Sequence, residues 1–140
     1  MNSATQSLTL DGEVGAIEAV LDMPAGLQAR GTAVIAHPHP LFGGTMHNKV
    51  VQTLARAFVQ CGWQAVRFNF RGVGASAGPY DEGRGEAADM LRVIAQTAQS
   101  GPLALAGFSF GAFVTSHVVQ ALGAERAGDQ PKLHFGQSHT

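Results

Sequence analysis

Apolar residues follow two different spacings in this chain, and the first of them indicates strands. Two short continuous apolar runs, TAVIA and LALAG, are typical of parallel strands that are covered on both faces. A third stretch, WQAVRFNF, alternates toward its end, and two N-terminal stretches flank the turn pair Asp11-Gly12, which predicts a hairpin. The predicted strands are residues 6–10, 14–21, 32–36, 63–70 and 103–107.

The second spacing indicates helices, one after each of the last three predicted strands. Apolar residues recur every three or four positions in residues 48–61, 82–99 and 110–122. This alternation predicts an α/β fold, in which an N-terminal antiparallel hairpin leads into a parallel sheet flanked by helices. Residues 1–122 are therefore interpreted as one domain. Residues 123–140 are polar and lack a sustained period, so we expect a poorly ordered tail there.

The helical spacing also predicts which side chains face the sheet and which face solvent. In the first helix, Val50, Leu54 and Phe58 mark the predicted inner face, with Val51 and Ala55 beside it. In the second helix, Asp89 and Arg92 are three positions apart, which predicts an exposed ion pair.

The clearest candidate for chemistry is the segment Gly107-Phe108-Ser109-Phe110-Gly111, between a predicted strand and a predicted helix. Gly-x-Ser-x-Gly at such a junction is typical of a nucleophile elbow, in which a sharp turn projects the serine hydroxyl above the sheet. The flanking glycines let the strand and helix backbones approach without a Cβ clash. The start of the helix offers free N–H groups to developing negative charge. We predict that Ser109 is a nucleophile; the alternative is an ordinary N-cap serine.

Composition and charge limit the partners that the chain is expected to have. A formal net charge of −1 gives no electrostatic reason to expect nucleic acid or an anionic membrane. No apolar run approaches the roughly 18 residues of a membrane span, and the N-terminal residues show no signal-peptide pattern. We therefore expect no membrane partner and a cytoplasmic location. Cys61 is the only cysteine, which excludes an internal disulfide and a cysteine metal cluster.

Two further patterns resemble sites for a metal and for a nucleotide. We predict neither site, because each pattern lacks a part that its site requires. His37 and His39 are two positions apart, but a metal site needs a third ligand, and none is convincingly spaced nearby. We expect these histidines to pack the loop or line the site. Residues 72–77 match a dinucleotide fingerprint, but Gly78-Pro79 interrupts before the next helix. No metal and no cofactor are predicted.

Three stretches, taken together and in this order, resemble the α/β-hydrolase superfamily: HPHPLFGGTMHNKVV, FNFRGVGASAG and GFSFGA. They look like one of its small lidless branches, related in shape to dienelactone hydrolase. The likeness runs from about residue 7 to about residue 122, which implies the N-terminal part of that fold.

The resemblance implies roles for three residues of this chain. Ser109 matches the nucleophile, and the backbone N–H of Phe110 matches one donor of the oxyanion hole. The backbone N–H of Leu41 matches the second donor. His39 is the alternative for this second donor, whereas the two neighbouring prolines have no N–H. Two such donors stabilise the tetrahedral intermediate of acyl transfer.

The resemblance also implies that an acid and a histidine follow the serine. Beyond the last predicted helix, the sequence to residue 140 contains the acids Glu125 and Asp129 and the histidines His134 and His139. Two more strand–helix units of roughly 30 residues each do not fit there, so we expect the base and its acid to be absent or replaced. His134 and His139 stay open as bases, with Asp129 to orient one of them.

The chain is therefore interpreted as a serine hydrolase that acts on an ester, thioester or related acyl bond of a small molecule. Two alternatives stay open: a non-catalytic binding module that keeps the hydrolase frame, and a truncated or frame-altered product without a function of its own. In the family, the strand that precedes the serine lies in mid-sheet. An exposed apolar edge at residues 103–107 therefore predicts self-association.

Overall fold

The computed structural model describes residues 4–26, 28–98 and 100–126. Within these ranges, a hairpin is followed by three strand–helix units. The strands are β1 (Ala4–Asp11), β2 (Ala16–Met23), β3 (Thr32–Ala36), β4 (Gln64–Phe68) and β5 (Leu103–Gly107). The helices are α1 (Lys49–Gln60), α2 (Arg84–Thr97) and α3 (Phe110–Arg126), and one 3₁₀ turn, Pro40–Phe42, follows β3. All predicted strands and helices are present, and β3 and β5 have the predicted bounds.

The five strands form one mixed sheet in the order β1-β2-β4-β3-β5. β2 pairs antiparallel with β1 and β4, whereas β3 runs parallel to β4 and β5. The carboxyl ends of β3, β4 and β5 therefore open at the same edge of the sheet, which is where ligands bind in open α/β sheets. This architecture confirms the predicted fold class, with an antiparallel hairpin that leads into parallel strands.

α2 and α3 cover one face of the sheet, over the larger of two apolar clusters. Phe68 and Phe70, at the end of β4, are fully buried together with Met90 of α2 and Val114 of α3. The two phenylalanine rings meet edge to face, with centroids 5.3 Å apart. This cluster holds the start of α3 against the carboxyl edge of the sheet.

α1 covers the opposite face through a smaller cluster that contains Ile35, Val51, Ala55 and Ala65. Leu54 and Phe58 of the predicted inner face pack against this cluster, and Val51 and Ala55, which were predicted beside that face, are buried in it. Val50 is the exception, because it is 40% exposed. The apolar stripe of α1 is wide, and contact with β3 and β4 selects its centre.

The structure shows where the last helix ends and which strand lies at the edge of the sheet. α3 continues to Arg126, past the predicted helix end at residue 122. Residues 127–140, with the candidate bases His134 and His139 and the candidate acid Asp129, lie outside the described residues. β5 is an edge strand of the described sheet. Within the described ranges, none of the helices combines the length and hydropathy that a membrane crossing requires.

Candidate active site

Ser109 lies at the sharp turn between β5 and α3, with a φ of +61°. Among the described residues other than glycine, only Glu82 shares a positive φ. This conformation costs a serine about 1–3 kcal/mol and persists only where neighbouring contacts enforce it. Here the Phe108 N–H donates to the Ala36 carbonyl at 3.2 Å, and the Ala112 N–H donates to the Ser109 carbonyl at 2.9 Å. The turn leaves Ser109 exposed at the carboxyl edge of the sheet.

Close backbone contacts explain both glycines of the motif. A Cβ at Gly107 would lie 2.7 Å from the nitrogen of Ala112. A Cβ at Gly111 would lie 2.6 Å from the carbonyl oxygen of His37, just after β3. Neither position has room for a side chain, so α3 starts in direct backbone contact with the ends of β3 and β5. The serine turn is thus a steric consequence of the motif.

Phe110 is the first residue of α3, so its N–H has no acceptor within the helix. The first N–H groups of a helix carry the positive end of its dipole. The Phe110 ring packs against Phe70, Tyr80 and Phe113, with centroids 5.7, 5.9 and 6.1 Å away. These contacts fix the backbone of the residue that directly follows the serine.

His37 is fully buried and ties the loop after β3 to the end of β4. Its Nδ1–H donates to the Pro38 carbonyl at 2.6 Å, and its Nε2 accepts the Phe70 N–H at 3.0 Å. Burial lowers the pKa of His37 to about 4, against the opposing effect of the Pro38 hydrogen bond, so the imidazole is neutral at pH 7. Both ring nitrogens serve the loop, which matches the packing role expected for His37.

Residues 38–44 form a tight loop above this histidine. The N–H groups of Phe42 and Gly44 donate to the His39 carbonyl at 3.1 and 3.0 Å. The Leu41 N–H, the predicted second oxyanion donor, lies in the 3₁₀ turn and donates to Nδ1 of His39 at 3.2 Å. The Leu41 side chain is 64% exposed. This loop therefore presents the Leu41 amide beside the His39 ring.

His39 connects the loop to the serine turn. Its ring centroid lies 4.6 Å from that of Phe110 and 5.1 Å from that of Tyr80. The Tyr80 hydroxyl lies 3.1 Å from Nε2 of His39. The fold thus gathers the turn that carries Ser109 and the loop that carries Leu41 around one histidine. Tyr80 was not predicted, because a tyrosine in a loop rich in glycine has no sequence signal for such a contact.

Comparison with known proteins identifies the family. A sequence profile of the X-Pro dipeptidyl-peptidase (S15) family matches residues 11–126. The chain belongs to this family. An α/β serine hydrolase homologue from Coxiella burnetii is 46% identical, with a TM-score of 0.76 over 82% of this chain. An α/β serine hydrolase without a lid, from Xanthomonas campestris, is 43% identical, with a TM-score of 0.79 over 88% of this chain. These structures confirm the resemblance to lidless α/β hydrolases.

This S15-family chain is shorter than the relatives that it matches. It spans 57% of the Coxiella protein and 59% of the Xanthomonas protein. An uncharacterised protein of Rickettsia prowazekii (strain Madrid E) is 42% identical over 91 residues, which are 62% of this chain and 38% of that protein. The chain is therefore a partial α/β-hydrolase fold, as the sequence predicts.

A buried ion pair supports the loop that carries Tyr80 in this S15-family chain. Nε and Nη2 of Arg71 donate to the two carboxylate oxygens of Asp89, each at 2.9 Å. The hydrogen bonds to Asp89 raise the pKa of Arg71, although burial acts in the opposite direction. The predicted exposed pair of Asp89 and Arg92 is therefore wrong. Asp89 is buried, because the loop after β4 turns back over the start of α2 and brings Arg71 to it.

The start of α2 closes the same loop from the other side. The fully buried Glu86 accepts the N–H groups of Asp81 at 2.9 Å and Gly83 at 2.8 Å. A Cβ at Gly85 would lie 2.7 Å from Nε of Arg71, so this glycine makes room for the guanidinium on the helix. Contacts on both sides of the loop therefore fix the position of Tyr80. The roles of Glu86 and Gly85 were not predicted from sequence.

The segment of residues 72–77, which matches a dinucleotide fingerprint, is held as a structural loop. Ser76 Oγ donates to the Asn69 carbonyl at 2.7 Å and accepts the Glu18 N–H at 2.9 Å. The Glu18 carboxylate accepts the Ala75 N–H at 2.8 Å and the Asn69 side-chain amide at 2.9 Å, and these bonds lower the pKa of Glu18. No helix opens directly after these glycines, so the segment lacks the helix N-terminus that a dinucleotide loop requires.

His37 and His39, which were considered as metal ligands, form hydrogen bonds with residues of the surrounding loops. Among the residues that the structure describes, no three His, Cys, Asp or Glu side chains form a group that suits a metal ion. Both nitrogens of His37 are bonded, and His39 contacts Leu41 and Tyr80. The candidate site therefore consists of the exposed Ser109 turn, the Phe110 and Leu41 amides, and the rings of His39, Tyr80 and Phe110.

Proposed function

We propose that this chain carries the nucleophile and the oxyanion hole of a serine hydrolase that acts on an ester, thioester or related acyl bond. The observation that carries the proposal is the positive φ of the exposed Ser109 at a strand-to-helix turn, directly before the first amide of α3. Strained residues of this kind cluster at functional sites, and a serine in this setting is typical of a nucleophile elbow.

The proposed reaction begins when the Ser109 hydroxyl attacks the carbonyl carbon of the substrate. The hydroxyl proton passes to a base, and the carbonyl oxygen takes up negative charge. The N–H groups of Phe110 and Leu41 stabilise this oxyanion, and the loss of one such donor costs about 2.7–4 kcal/mol. When this intermediate collapses, the bond from the carbonyl carbon to the alcohol or thiol breaks, and the leaving group takes the proton from the base. Water then hydrolyses the acyl group on Ser109 to the free acid and restores the serine hydroxyl.

The base is proposed to lie outside the described residues. Of the two histidines in the loop after β3, His37 uses both ring nitrogens and is neutral at pH 7, and the Nδ1 of His39 accepts from Leu41. His134 and His139 are the candidates within this chain, with Asp129 as the orienting acid. A histidine from a longer form of the chain or from a second chain is the other source.

The proposed substrate is a small acyl compound whose apolar part lies along the exposed side chains of the loops. Leu41 and Phe42 are 64% and 86% exposed, and Phe108 beside the serine is 42% exposed. The proposal includes no cofactor and no nucleic-acid or membrane partner. Cys61 is an exposed free thiol, which suits a reducing compartment such as the cytoplasm.

Turnover of chromogenic substrates by the full chain tests this proposal. We expect hydrolysis of p-nitrophenyl acetate and butyrate that falls to the background rate in Ser109→Ala. Ala-Pro-p-nitroanilide, an X-Pro amide, tests the reaction in the name of the family. A folded wild-type chain that hydrolyses none of these substrates favours the binding-module alternative or the inactive-fragment alternative.

A further inference from the structure

One amide of the loop 38–44 is held differently from its neighbours. The N–H groups of Phe42, Gly43 and Gly44 donate to backbone carbonyls at 3.0 to 3.3 Å. The Leu41 N–H instead donates to a side chain, at 3.2 Å from Nδ1 of His39. A neutral hydrogen bond of this kind makes only a small net contribution, so the Leu41 N–H can exchange this acceptor for another one.

The contact fixes the hydrogen positions on the His39 ring. Because Nδ1 accepts the Leu41 N–H, the neutral ring carries its own hydrogen on Nε2. This Nε2–H is then the donor to the Tyr80 hydroxyl oxygen, 3.1 Å away. The Tyr80 hydroxyl thus holds the ring in the orientation that covers the Leu41 amide.

Aromatic packing supports the same orientation. The His39 ring lies 4.9 Å from the Phe42 ring and 4.6 Å from the Phe110 ring, measured between centroids. Tyr80 contacts Phe110 as well, with centroids 5.9 Å apart. A rotation about the side-chain bonds of His39 would free the Leu41 amide without any movement of the backbone.

We propose that His39, held by Tyr80, is a latch that covers the Leu41 amide in the resting protein and leaves it when the oxyanion forms. The inference rests on the proposed function, in which the Leu41 N–H is an oxyanion donor. His39 and Tyr80 are positioning residues in this account, because they act through the amide and touch no reacting atom. The latch slows acylation, because its hydrogen bond breaks before the oxyanion binds.

Three substitutions separate a latch from general support of the loop. His39→Phe keeps an aromatic ring against Phe42 and Phe110 but offers no acceptor to the amide. His39→Asn keeps an acceptor at this capping position and loses the ring. Tyr80→Phe removes only the hydroxyl of the single tyrosine in the chain.

The rate of Ser109 labelling by a fluorophosphonate compares these variants, with circular dichroism to confirm folding. We expect His39→Phe to react about two- to tenfold faster than wild type, which corresponds to the net contribution of one neutral hydrogen bond. Tyr80→Phe should change the rate in the same direction by less, and His39→Asn should stay slower than His39→Phe. An equal slowing of both His39 variants overturns the latch, because a purely structural role predicts that result.

A second measurement needs no catalysis. The ¹⁵N chemical shifts of the His39 ring in the resting protein report its tautomer, and the latch requires hydrogen on Nε2. Hydrogen on Nδ1 overturns the latch, because Nδ1 then cannot accept from Leu41. Labelling of all variants at the wild-type rate overturns the latch alone. The absence of labelling in every folded variant overturns the proposed function, and with it the role of the latch.

Discussion

At the scale of the residue, the burial of His37 in the loop after β3 makes the stability of the protein depend on pH. Its pKa is about 4 in the folded protein, against an ordinary value of 6.5. Between these pH values the unfolded chain binds a proton that the folded chain does not bind. The stability that the neutral His37 contributes to the free energy of unfolding is therefore fully present above pH 6.5. It is lost as the pH falls toward 4, by up to about 3 kcal/mol for this shift in pKa.

The variant His37→Gln tests this linkage. Glutamine can accept the Phe70 N–H but does not titrate. We expect the variant to be less stable than wild type at pH 7, because it lacks the imidazole ring that packs against Phe70 with centroids 4.5 Å apart. The difference in the free energy of unfolding should narrow at pH 4.5, because the wild type loses stability through His37 and the variant does not. Urea unfolding at both pH values measures the difference. A difference that is the same at both pH values would show that His37 ionisation does not contribute.

The predictability of single residues depends on how far away their partners lie in the sequence. The Ser109 turn is encoded by adjacent residues, so the sequence reveals it, together with both of its glycines. The partner of Asp89 is Arg71, 18 positions earlier, and only the return of a loop brings the two together. The role of Tyr80 likewise depends on a contact with His39 across 41 positions.

At the scale of the element, the start of α2 depends on a glycine within a helix. Alanine normally stabilises a helix relative to glycine by about 0.5–1 kcal/mol. At Gly85, however, a Cβ would approach the Arg71 guanidinium that pairs with Asp89. The loop between β4 and α2 therefore constrains the composition of the helix.

We expect Gly85→Ala to destabilise the protein by about 1–3 kcal/mol, because it overpacks this contact. Gly123→Ala is the matched control, since Gly123 lies in α3 with no atom within 4 Å of a Cβ at that position. The control should gain about 0.5–1 kcal/mol. The urea midpoints of both variants give the comparison, and a stabilised Gly85→Ala would refute the steric role of this glycine.

A strand that is buried along its whole length was easier to predict than a helix that packs on one face only. β3 is buried along its whole length, and its continuous apolar run defined both of its ends. α1 has apolar residues over a wide stripe, and the spacing alone does not show that Val51 is buried whereas Val50 lies at the exposed margin of the stripe. The choice between the two depends on contacts with β3 and β4, which the sequence of the helix does not contain.

At the scale of the whole molecule, β5 is an edge strand of the described sheet, beside β3. All of its residues are half-buried and apolar, and such an edge favours pairing with another chain. We expect this chain to self-associate as its concentration rises, which sedimentation velocity measures. Ala104→Lys places a charge on the edge strand and should shift the equilibrium toward the monomer. A wild-type chain that stays monomeric at high concentration contradicts this expectation.

The central claim of the account is that Ser109 is an activated nucleophile. Intact mass spectrometry after exposure to a fluorophosphonate tests it most directly, with Ser109→Ala as the control and circular dichroism to confirm that both proteins are folded. The account predicts one adduct on the wild-type chain and none on the variant. A folded wild-type chain that remains unlabelled would contradict the claim, and the serine turn would then be part of the architecture alone.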